Sequence, residues 1–309
     1  MIRALAWVGQ QGRYCLILGL ALGLLAPGLA EVLRPWVGTL VALLLFVTGM
    51  RVGARAAFGS LDNVGPTLLR IGFFQTMLPL LVIALLLGLG LMGWPLALAV
   101  SLMLAAPSLT GAPNFAIMMG RDPAPGMRLL VLGTALFPIT AFPVLWVLNP
   151  TGGGVWDAMS LSLGLLAAIL AAVGCGFGIR RLLPILAEPP AQKALDGAAA
   201  LLLAIVVVGL MSAIGPLLRS DPGALALWLL AALLVNLLLV MTTLAISRRA
   251  GLGQSIATAI YAGNRNIALF LIVLPDAVAA PLMIFVGCYQ IPMYLTPIVL
   301  ARLSRNTDS

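Results

Sequence analysis

The stretch Ala106-Pro107-Ser108-Leu109-Thr110-Gly111-Ala112-Pro113-Asn114 interrupts an apolar run that extends over residues 93–119. Proline lacks a backbone donor and clashes with the preceding helical turn, so this run is not predicted to form one regular helix. Non-helical backbone at membrane depth is tolerated only where it is buried in protein or lines a watery cavity. A second polar stretch, Tyr261-Ala262-Gly263-Asn264-Arg265-Asn266, interrupts the run at 253–274. The two stretches predict a pair of broken membrane helices.

The composition is that of a membrane protein. The chain has 309 residues, of which 62% are hydrophobic and only 8% charged, whereas a soluble domain has roughly one-quarter charged residues. A membrane-spanning helix needs about 20 mostly apolar residues. Ten such runs are predicted, at 14–30, 37–50, 65–87, 93–119, 127–147, 157–179, 195–217, 223–246, 253–274 and 280–301. The prediction is an all-α polytopic membrane protein in which residues 1–309 form one transporter domain.

The basic residues predict the orientation. Thirteen of the 17 Lys and Arg residues fall at or beyond span ends on the side of the N-terminus, and only Arg34 and Arg219 fall on the other side. Cytoplasmic loops keep an excess of basic residues, so both termini are predicted to be cytoplasmic, in a bacterial inner membrane. The net charge of +8 is explained by this topology and by contact with anionic membrane lipids. No nucleic-acid-binding motif is present in the sequence.

The two interruptions resemble each other. Asn114-Phe115-Ala116-Ile117 and Asn266-Ile267-Ala268-Leu269 share an Asn, an apolar residue, Ala and a second apolar residue, and the asparagines lie about half the chain length apart. This predicts two inverted five-helix repeats, at about 14–147 and 157–301, as in secondary transporters. The run at 14–30 is therefore taken as the first helix and not as a cleaved signal peptide. Chance similarity, or simple kinking at Gly and Pro, is the alternative.

A family resemblance rests on the same segments. Residues 106–110, 120–122 and 263–266, with Asn114 and the Gly-Leu-Leu-Ala-Pro run at 23–27, resemble the bile acid:sodium symporter family. The resemblance implies a panel of helices 1, 2, 6 and 7 and a core of helices 3, 4, 5, 8, 9 and 10, in which broken helices 4 and 9 cross. It also implies transport of bile acids, keto acids, pantoate-like acids or other organic anions together with sodium, by alternating access.

The sodium site that the resemblance implies is incomplete in this sequence. Sodium is a hard cation that takes several oxygen ligands, and Gln75 and Asn114 stand at ligand positions of the family. Its other oxygen ligands are replaced by Pro113, Gly126, Leu130, Tyr261 and Arg265. In particular, Tyr261 replaces a glutamate and Arg265 a glutamine. The ion-site positions Gln75, Asn114, Tyr261 and Arg265 are therefore predicted to be degenerate.

Titratable groups for ion coupling are also missing. The sequence has no histidine, and its nine Asp and Glu residues fall in loops, at span ends or in the tail. Proton relays in membranes use such groups within the spans. We therefore expect facilitated diffusion or anion exchange without sodium, metal or any other cofactor; sodium-coupled symport through amides, hydroxyls and carbonyls is the alternative.

Arg265 is the central candidate for substrate binding, since it lies too deep in the ninth run to reach either interface. Its guanidinium can pair bidentately with a carboxylate and stays charged. Alternatively, carbonyls exposed at the breaks satisfy it and it only braces the crossing. The predicted substrate-binding residues are Arg265, Asn114, Asn264, Asn266, Thr110, Asn236 and Tyr289. Asn236, Tyr289 and Gln75 are equally interpreted as links between neighbouring helices.

The sequence bears on two other functional classes. An enzyme would need a nucleophile with a base or a metal cluster, and the sequence offers neither histidine nor a carboxylate within a span, so no catalytic residue is predicted. A membrane receptor or scaffold that binds the anion without transport is a further alternative. The three cysteines, which are far apart and in apolar stretches, are predicted to be small packing residues. The oligomeric state and the identity of the anion stay open.

Overall fold

The structure, a computed structural model, describes residues 2–59, 64–109, 111–112, 116, 122, 124–251 and 255–305. Nearly all of these residues are helical. The helices are α1 (Ile2–Gln10), α2 (Gly12–Leu25), α3 (Pro27–Leu33), α4 (Val37–Gly59), α5 (Val64–Gly72), α6 (Leu78–Gly88), α7 (Pro95–Ala105), α8 (Ala124–Leu148), α9 (Gly154–Leu182), α10 (Pro189–Ser220), α11 (Pro222–Arg249), α12 (Ser255–Gly263) and α13 (Asp276–Arg305). Short 3-10 helices cover Arg34–Trp36, Pro184–Ala187 and Ile267–Ile272, and a π-helical turn covers Phe73–Met77.

Seven helices in the described part of the chain are long and apolar enough to cross a membrane. They are Pro27–Gly53, Val64–Gly88, Ala124–Leu148, Gly154–Leu182, Pro189–Ser220, Pro222–Arg249 and Asp276–Met293. An α-helix satisfies its own backbone hydrogen bonds, which a hydrocarbon environment requires. The predicted fold class, an all-α polytopic membrane protein, is confirmed at this level. The count of ten spans stays a prediction.

Seven of the ten predicted runs correspond to these long helices. The other three runs are interrupted. In the run at 14–30, α2 ends at Leu25 and α3 begins at Pro27, because the residue before a proline is disfavoured in helical conformation. In the run at 93–119, α7 ends at Ala105. In the run at 253–274, α12 ends at Gly263 and a 3-10 helix follows. The last two are the runs in which the polar stretches predicted breaks.

The chain forms two compact units. The first comprises residues 1–59, 163–225 and 268–287, and α10 packs in it against α1, α2, α3 and α4. Small residues allow close approach of helices in membranes. A Cβ atom at Gly19 in α2 would lie only 2.7 Å from the carbonyl oxygen of Ala204 in α10. The close contact between α2 and α10 therefore requires glycine at this position.

A kink in α4 also belongs to the first unit. Gly53 has φ +72° and ψ 154° within this helix, a conformation that glycine adopts far more readily than other residues. The Arg180 guanidinium of α9 donates hydrogen bonds to the carbonyls of Met50 and Arg51 just before the kink. The Arg51 side chain, in turn, forms an ion pair of 2.6 Å with Asp196 of α10. The predicted span at 37–50 thus continues as helix, and Arg51 lies in α4 and not in a loop.

The second unit comprises residues 60–162, 226–267 and 288–309. Part of its core is a cluster of Ile71, Phe74, Leu129, Tyr261 and Ala262, to which α5, the π-helical turn, α8 and α12 contribute. Both polar interruptions belong to this unit. It therefore contains the segment pair on which the functional predictions depend.

Candidate functional site

The two interruptions pair with each other through their backbones. Ala106 leaves the helical conformation (φ −65°, ψ 152°), and Ser108 and Arg265 then form an isolated antiparallel bridge. The Leu109 N–H donates to the Asn264 carbonyl at 2.9 Å, and the Asn266 N–H donates to the Pro107 carbonyl at 2.8 Å. Unpaired backbone groups are costly away from water. The breaks are therefore possible at membrane depth because each satisfies groups of the other.

The Arg265 side chain is hydrogen-bonded to the backbone around this crossing. It is 0% exposed, and it donates three hydrogen bonds to backbone carbonyls. Nε donates to Ala262 at 3.0 Å, Nη1 to Ala106 at 2.9 Å and Nη2 to Phe74 at 3.4 Å. These carbonyls come from α12, from the end of α7 and from the π-helical turn. One side chain thus connects three segments of the second unit.

Two aromatic rings complete the surroundings of the guanidinium. Arg265 Cζ lies 4.5 Å from the centre of the Tyr261 ring and 5.3 Å from that of the Phe74 ring. The rings themselves meet edge to face at 5.6 Å. Aromatic faces attract a cation, most strongly where water is excluded. Within the described residues no carboxylate forms an ion pair with Arg265, so carbonyl dipoles and ring faces stabilise its charge without neutralising it.

The Phe74 carbonyl is available to Arg265 because of Pro79. In a regular α-helix, the Phe74 carbonyl would accept from the N–H of Leu78, but Leu78 donates to Phe73 in the π-helical turn. The next N–H along the chain would belong to residue 79, and proline has none. The Phe74 carbonyl is therefore left without a helical donor. Arg265 Nη2 donates a hydrogen bond to this carbonyl, which the π-helical turn leaves free.

Asn236 and Tyr289 converge on the carbonyl that ends α12. Both the Asn236 amide Nδ2 and the Tyr289 hydroxyl donate to the Gly263 carbonyl. Thr296 Oγ1 donates to Asn236 Oδ1 at 3.0 Å and so fixes the orientation of the amide. The three side chains are buried. Asn236 and Tyr289 are thus placed as links from α11 and α13 to the break, as one of the two sequence interpretations expected.

Gln75 connects neighbouring helices in the same unit. Its Nε2 donates to the Gly133 carbonyl of α8 at 3.2 Å, and its Oε1 accepts from Thr140 Oγ1 at 2.6 Å. The amide is 0% exposed, and both of its polar atoms are engaged. In this conformation Gln75 makes the interhelical link that the sequence offered as the alternative to a role as an ion ligand.

Two buried oxygen atoms at the crossing have no hydrogen-bond partner among the described residues. They are the Tyr261 hydroxyl and Asn264 Oδ1, although the Asn264 amide Nδ2 donates to the Ile260 carbonyl at 3.0 Å. Gln75 Nε2 and the Tyr261 hydroxyl both lie close to Gly133 Cα, at 2.9 Å and 3.6 Å from where a Cβ atom would stand. The crossing therefore retains polar groups able to bind a further molecule.

The structure brings together most of the predicted site residues that it describes. Arg265, Asn264 and Tyr261 lie at the crossing, Asn236 and Tyr289 bond its Gly263 carbonyl, and Asn266 contributes its backbone N–H. Thr110 and Asn114, which were also predicted to contact substrate, lie outside the described residues. Their roles stay predictions.

Sequence reasoning did not single out Phe74, Pro79, Thr140 or Thr296. Of these, only Pro79 carries a signal that could have been used, since a proline inside an apolar span removes a donor and exposes a carbonyl one turn earlier. Phe74 and the two threonines are ordinary residues for a membrane helix. Their roles depend on which helices lie next to each other.

Comparison with known proteins finds neither a family model nor a curated sequence that matches this chain.

Proposed function

We propose that this chain is a secondary transporter of a small organic anion, such as a bile acid, a keto acid or a pantoate-like carboxylate. In this proposal the protein works by alternating access without sodium, and Arg265 is its fixed cation. The proposal includes the finer architecture that the sequence predicts. This consists of ten spans, two inverted repeats, and the panel and core helices of the bile acid:sodium symporter family.

The observation that carries the proposal is the buried charge of Arg265, which no carboxylate of the described residues compensates. Placing an arginine at the centre of a membrane helix costs about 2.5–3.5 kcal/mol on insertion scales. The carbonyls of Ala262, Ala106 and Phe74 satisfy its hydrogen bonds, but they leave a net positive charge. A carboxylate brought close to this charge is attracted in surroundings that screen it poorly. A fixed cation thus favours an anionic substrate.

The guanidinium also keeps bonding capacity. It has five N–H donors in a planar fork, and three hydrogen bonds to described residues are present. The longest of them, from Nη2 to Phe74, measures 3.4 Å and is the easiest to exchange. In the described conformation Arg265 is fully enclosed. The proposal therefore requires that the crossing opens for substrate to reach the guanidinium.

The paired breaks support a transport mechanism. The two interruptions are joined by a short antiparallel bridge with two backbone hydrogen bonds, which is a small contact compared with a full helix interface. Transporters bind substrate at discontinuous helices of this kind and expose the site alternately to each side. The Tyr261 hydroxyl and Asn264 Oδ1, which accept no hydrogen bond from the described residues, are further groups for orienting the substrate.

Sodium-coupled symport is the alternative function. It would require oxygen ligands near the crossing, and Asn114, Asn264 and the hydroxyl of Tyr261 are candidates. Two observations disfavour sodium-coupled symport. Both polar atoms of Gln75 are already hydrogen-bonded to α8. The positive charge of Arg265 lies next to the Tyr261 ring and would repel a sodium ion there. A receptor that binds the anion without moving it is the other alternative.

Uptake into proteoliposomes tests the proposal. Purified protein would be reconstituted with unlabelled organic acid inside, and counterflow of the radiolabelled acid would be followed in potassium or choline buffer. We expect saturable counterflow of at least one acid above that of protein-free liposomes, and its loss with Arg265→Gln. Binding in a thermal-shift screen without any counterflow would favour the receptor. Counterflow that appears only in sodium buffer would favour the symporter.

A further inference from the structure

The helix α1 lines a groove that has no role in the proposed transport function. This groove lies between α1 and the first turn of α10, and its cavity volume is about 370 Å³. The residues on which the argument depends are Ile2, Arg3, Trp7 and Lys193, with Pro189 and Pro190 forming part of the wall. We call it the α1/α10 groove. All of its residues belong to the first compact unit.

Two glycines hold α1 firmly against α10. A Cβ atom at Gly9 would lie 2.9 Å from the Gly197 backbone nitrogen and 3.0 Å from the Lys193 carbonyl oxygen. A Cβ atom at Gly197 would overlap the Leu5 carbonyl. Such backbone contact is tighter than side chains larger than a hydrogen atom permit. The groove is therefore set by close packing of two helices along their backbones.

The charged side chains that line the groove are both cationic. Arg3 and Lys193 are exposed and face the same cavity, and within the described residues neither forms an ion pair. Asp196, the acidic residue of α10, pairs instead with Arg51 at 2.6 Å. Glu188, which precedes Pro189, does not line the cavity. Two positive charges thus share one concave site, and no carboxylate from the part of the chain that the structure describes compensates them.

The rim of the groove is apolar and open. Two large hydrophobic residues of α1 are exposed at the rim: Trp7 is 64% exposed and Ile2 is 52% exposed. Tryptophan is typical of the interface between lipid head groups and acyl chains, and a short helix with one apolar face lies in that interface. A free anion would use the two cations but would leave Ile2 and Trp7 in contact with water.

We propose that the α1/α10 groove binds an anionic phospholipid. Its phosphodiester lies between Arg3 and Lys193, and its glycerol and upper acyl chains lie along Trp7 and Ile2. Basic pockets between helices at the membrane surface bind lipid head groups in this way. Two cations that form no ion pair with any described residue, next to an exposed apolar rim, favour a lipid over a soluble phosphate.

Native mass spectrometry of the delipidated full-length protein tests this proposal. Phosphatidylglycerol and phosphatidylcholine with the same acyl chains would be titrated separately, and inorganic phosphate would be added as the free anion. We expect the first phosphatidylglycerol to bind about tenfold or more tightly than phosphatidylcholine. Millimolar phosphate should leave that binding unchanged. Equal affinity for the two lipids, or displacement of phosphatidylglycerol by phosphate, would overturn the proposal.

Variants locate the site. Arg3→Gln/Lys193→Gln should abolish the preference for phosphatidylglycerol, and both positions are exposed, so the fold does not depend on their charges. Arg248→Gln/Arg249→Gln removes the same charge from the exposed end of α11 and should keep the preference. Gly197→Ala changes no charge but displaces α1, and it should weaken binding. Full preference in the first variant, or an equal loss in the α11 variant, would show that the lipid binds elsewhere.

Discussion

Ser108 and Arg265 face each other in an antiparallel backbone bridge, although they are 157 positions apart in the chain. Arg265 thus contributes twice to the same crossing. Its backbone pairs with one interruption, and its side chain donates to the carbonyl of Ala106, two residues before Ser108. Substitutions at this position should therefore affect both the stability of the crossing and any binding that depends on its charge.

Arg265→Gln should weaken anion binding at least tenfold, which corresponds to about 1.4 kcal/mol, because a neutral amide cannot attract a carboxylate as a guanidinium does. Arg265→Lys should restore only part of the affinity, since an ammonium lacks the planar fork. The measurement is binding of the transported acid by thermal shift or calorimetry. Sodium dependence newly acquired by the Gln variant would directly support a fixed cation in place of a bound one.

The control for this experiment is Arg70→Gln, which removes the same charge from a partly buried arginine six residues after the start of the span Val64–Gly88. We expect its affinity to stay within about twofold of wild type, because an arginine this near the start of a span reaches the lipid head groups by snorkelling. Wild-type affinity in a folded Arg265→Gln variant would rule out the binding role. The arginine would then serve only to brace the crossing.

The double variant Tyr289→Phe/Asn236→Leu should lose more unfolding free energy than the two single variants lose in sum. Each single variant leaves one donor on the Gly263 carbonyl and should cost about 0.5–1.5 kcal/mol, whereas the double variant leaves a buried acceptor unsatisfied at a further ~1–3 kcal/mol. A double-mutant cycle of unfolding free energies in mixed micelles measures this coupling. Additive free energies would mean that the two donors do not share the carbonyl.

Thr242→Val is the matched control for that cycle. Thr242 lies on α11 like Asn236, but it is exposed and its hydroxyl donates only within its own helix. We expect a change of less than about 0.5 kcal/mol. A large effect here would show that α11 is sensitive to any loss of a hydrogen bond.

Sodium should change neither substrate affinity nor transport rate by more than about twofold when potassium or choline replaces it. The physical reason is that Tyr261 and Arg265 stand where the resemblance implies oxygen ligands, and that Gln75 is engaged by Gly133 and Thr140. Initial rates of uptake with and without a sodium gradient measure the effect. A tenfold stimulation by the gradient would contradict the fixed-cation mechanism.

The predicted topology can be tested by cysteine labelling in a background without Cys15, Cys175 and Cys288. Ile185→Cys, in the exposed 3-10 helix between α9 and α10, should react with an impermeant maleimide only from the cytoplasm. Thr151→Cys, in the exposed segment before α9, should react only from outside. Labelling of residue 151 from inside would overturn the ten-span arrangement and the inverted repeat with it.

The sequence predicted the broken helices well because their cause is local. Pro107 and Gly263 mark positions at which a helix cannot continue or is easily ended, and polar residues at membrane depth indicate that the breaks are enclosed. The bridge between Ser108 and Arg265 was not predictable in detail, since its register depends on how two distant segments meet.

The partners of the candidate residues were harder to predict than the residues themselves. Arg265 was singled out by its depth in an apolar run, but the Phe74 carbonyl that receives it is exposed only by the π-helical turn before Pro79. The helix α1 was missed altogether. Its nine residues are too few to form a membrane span, and its position is set by contact with Gly197.

The enclosure of Arg265 by carbonyls and rings has a consequence for the energetics of the proposed transport. A sodium ion that binds with an anion crosses the membrane with it and cancels its charge. The Arg265 guanidinium, in contrast, is covalently attached to the segment that follows α12 and is not released with the anion. Each crossing of a monovalent anion would then move one full negative charge. At an inside-negative membrane potential of about 100 mV this amounts to ~2.3 kcal/mol in favour of exit, or an equilibrium ratio of about 50-fold. A carrier with a tethered cation would therefore release its anion from the cell unless a second anion returned in exchange.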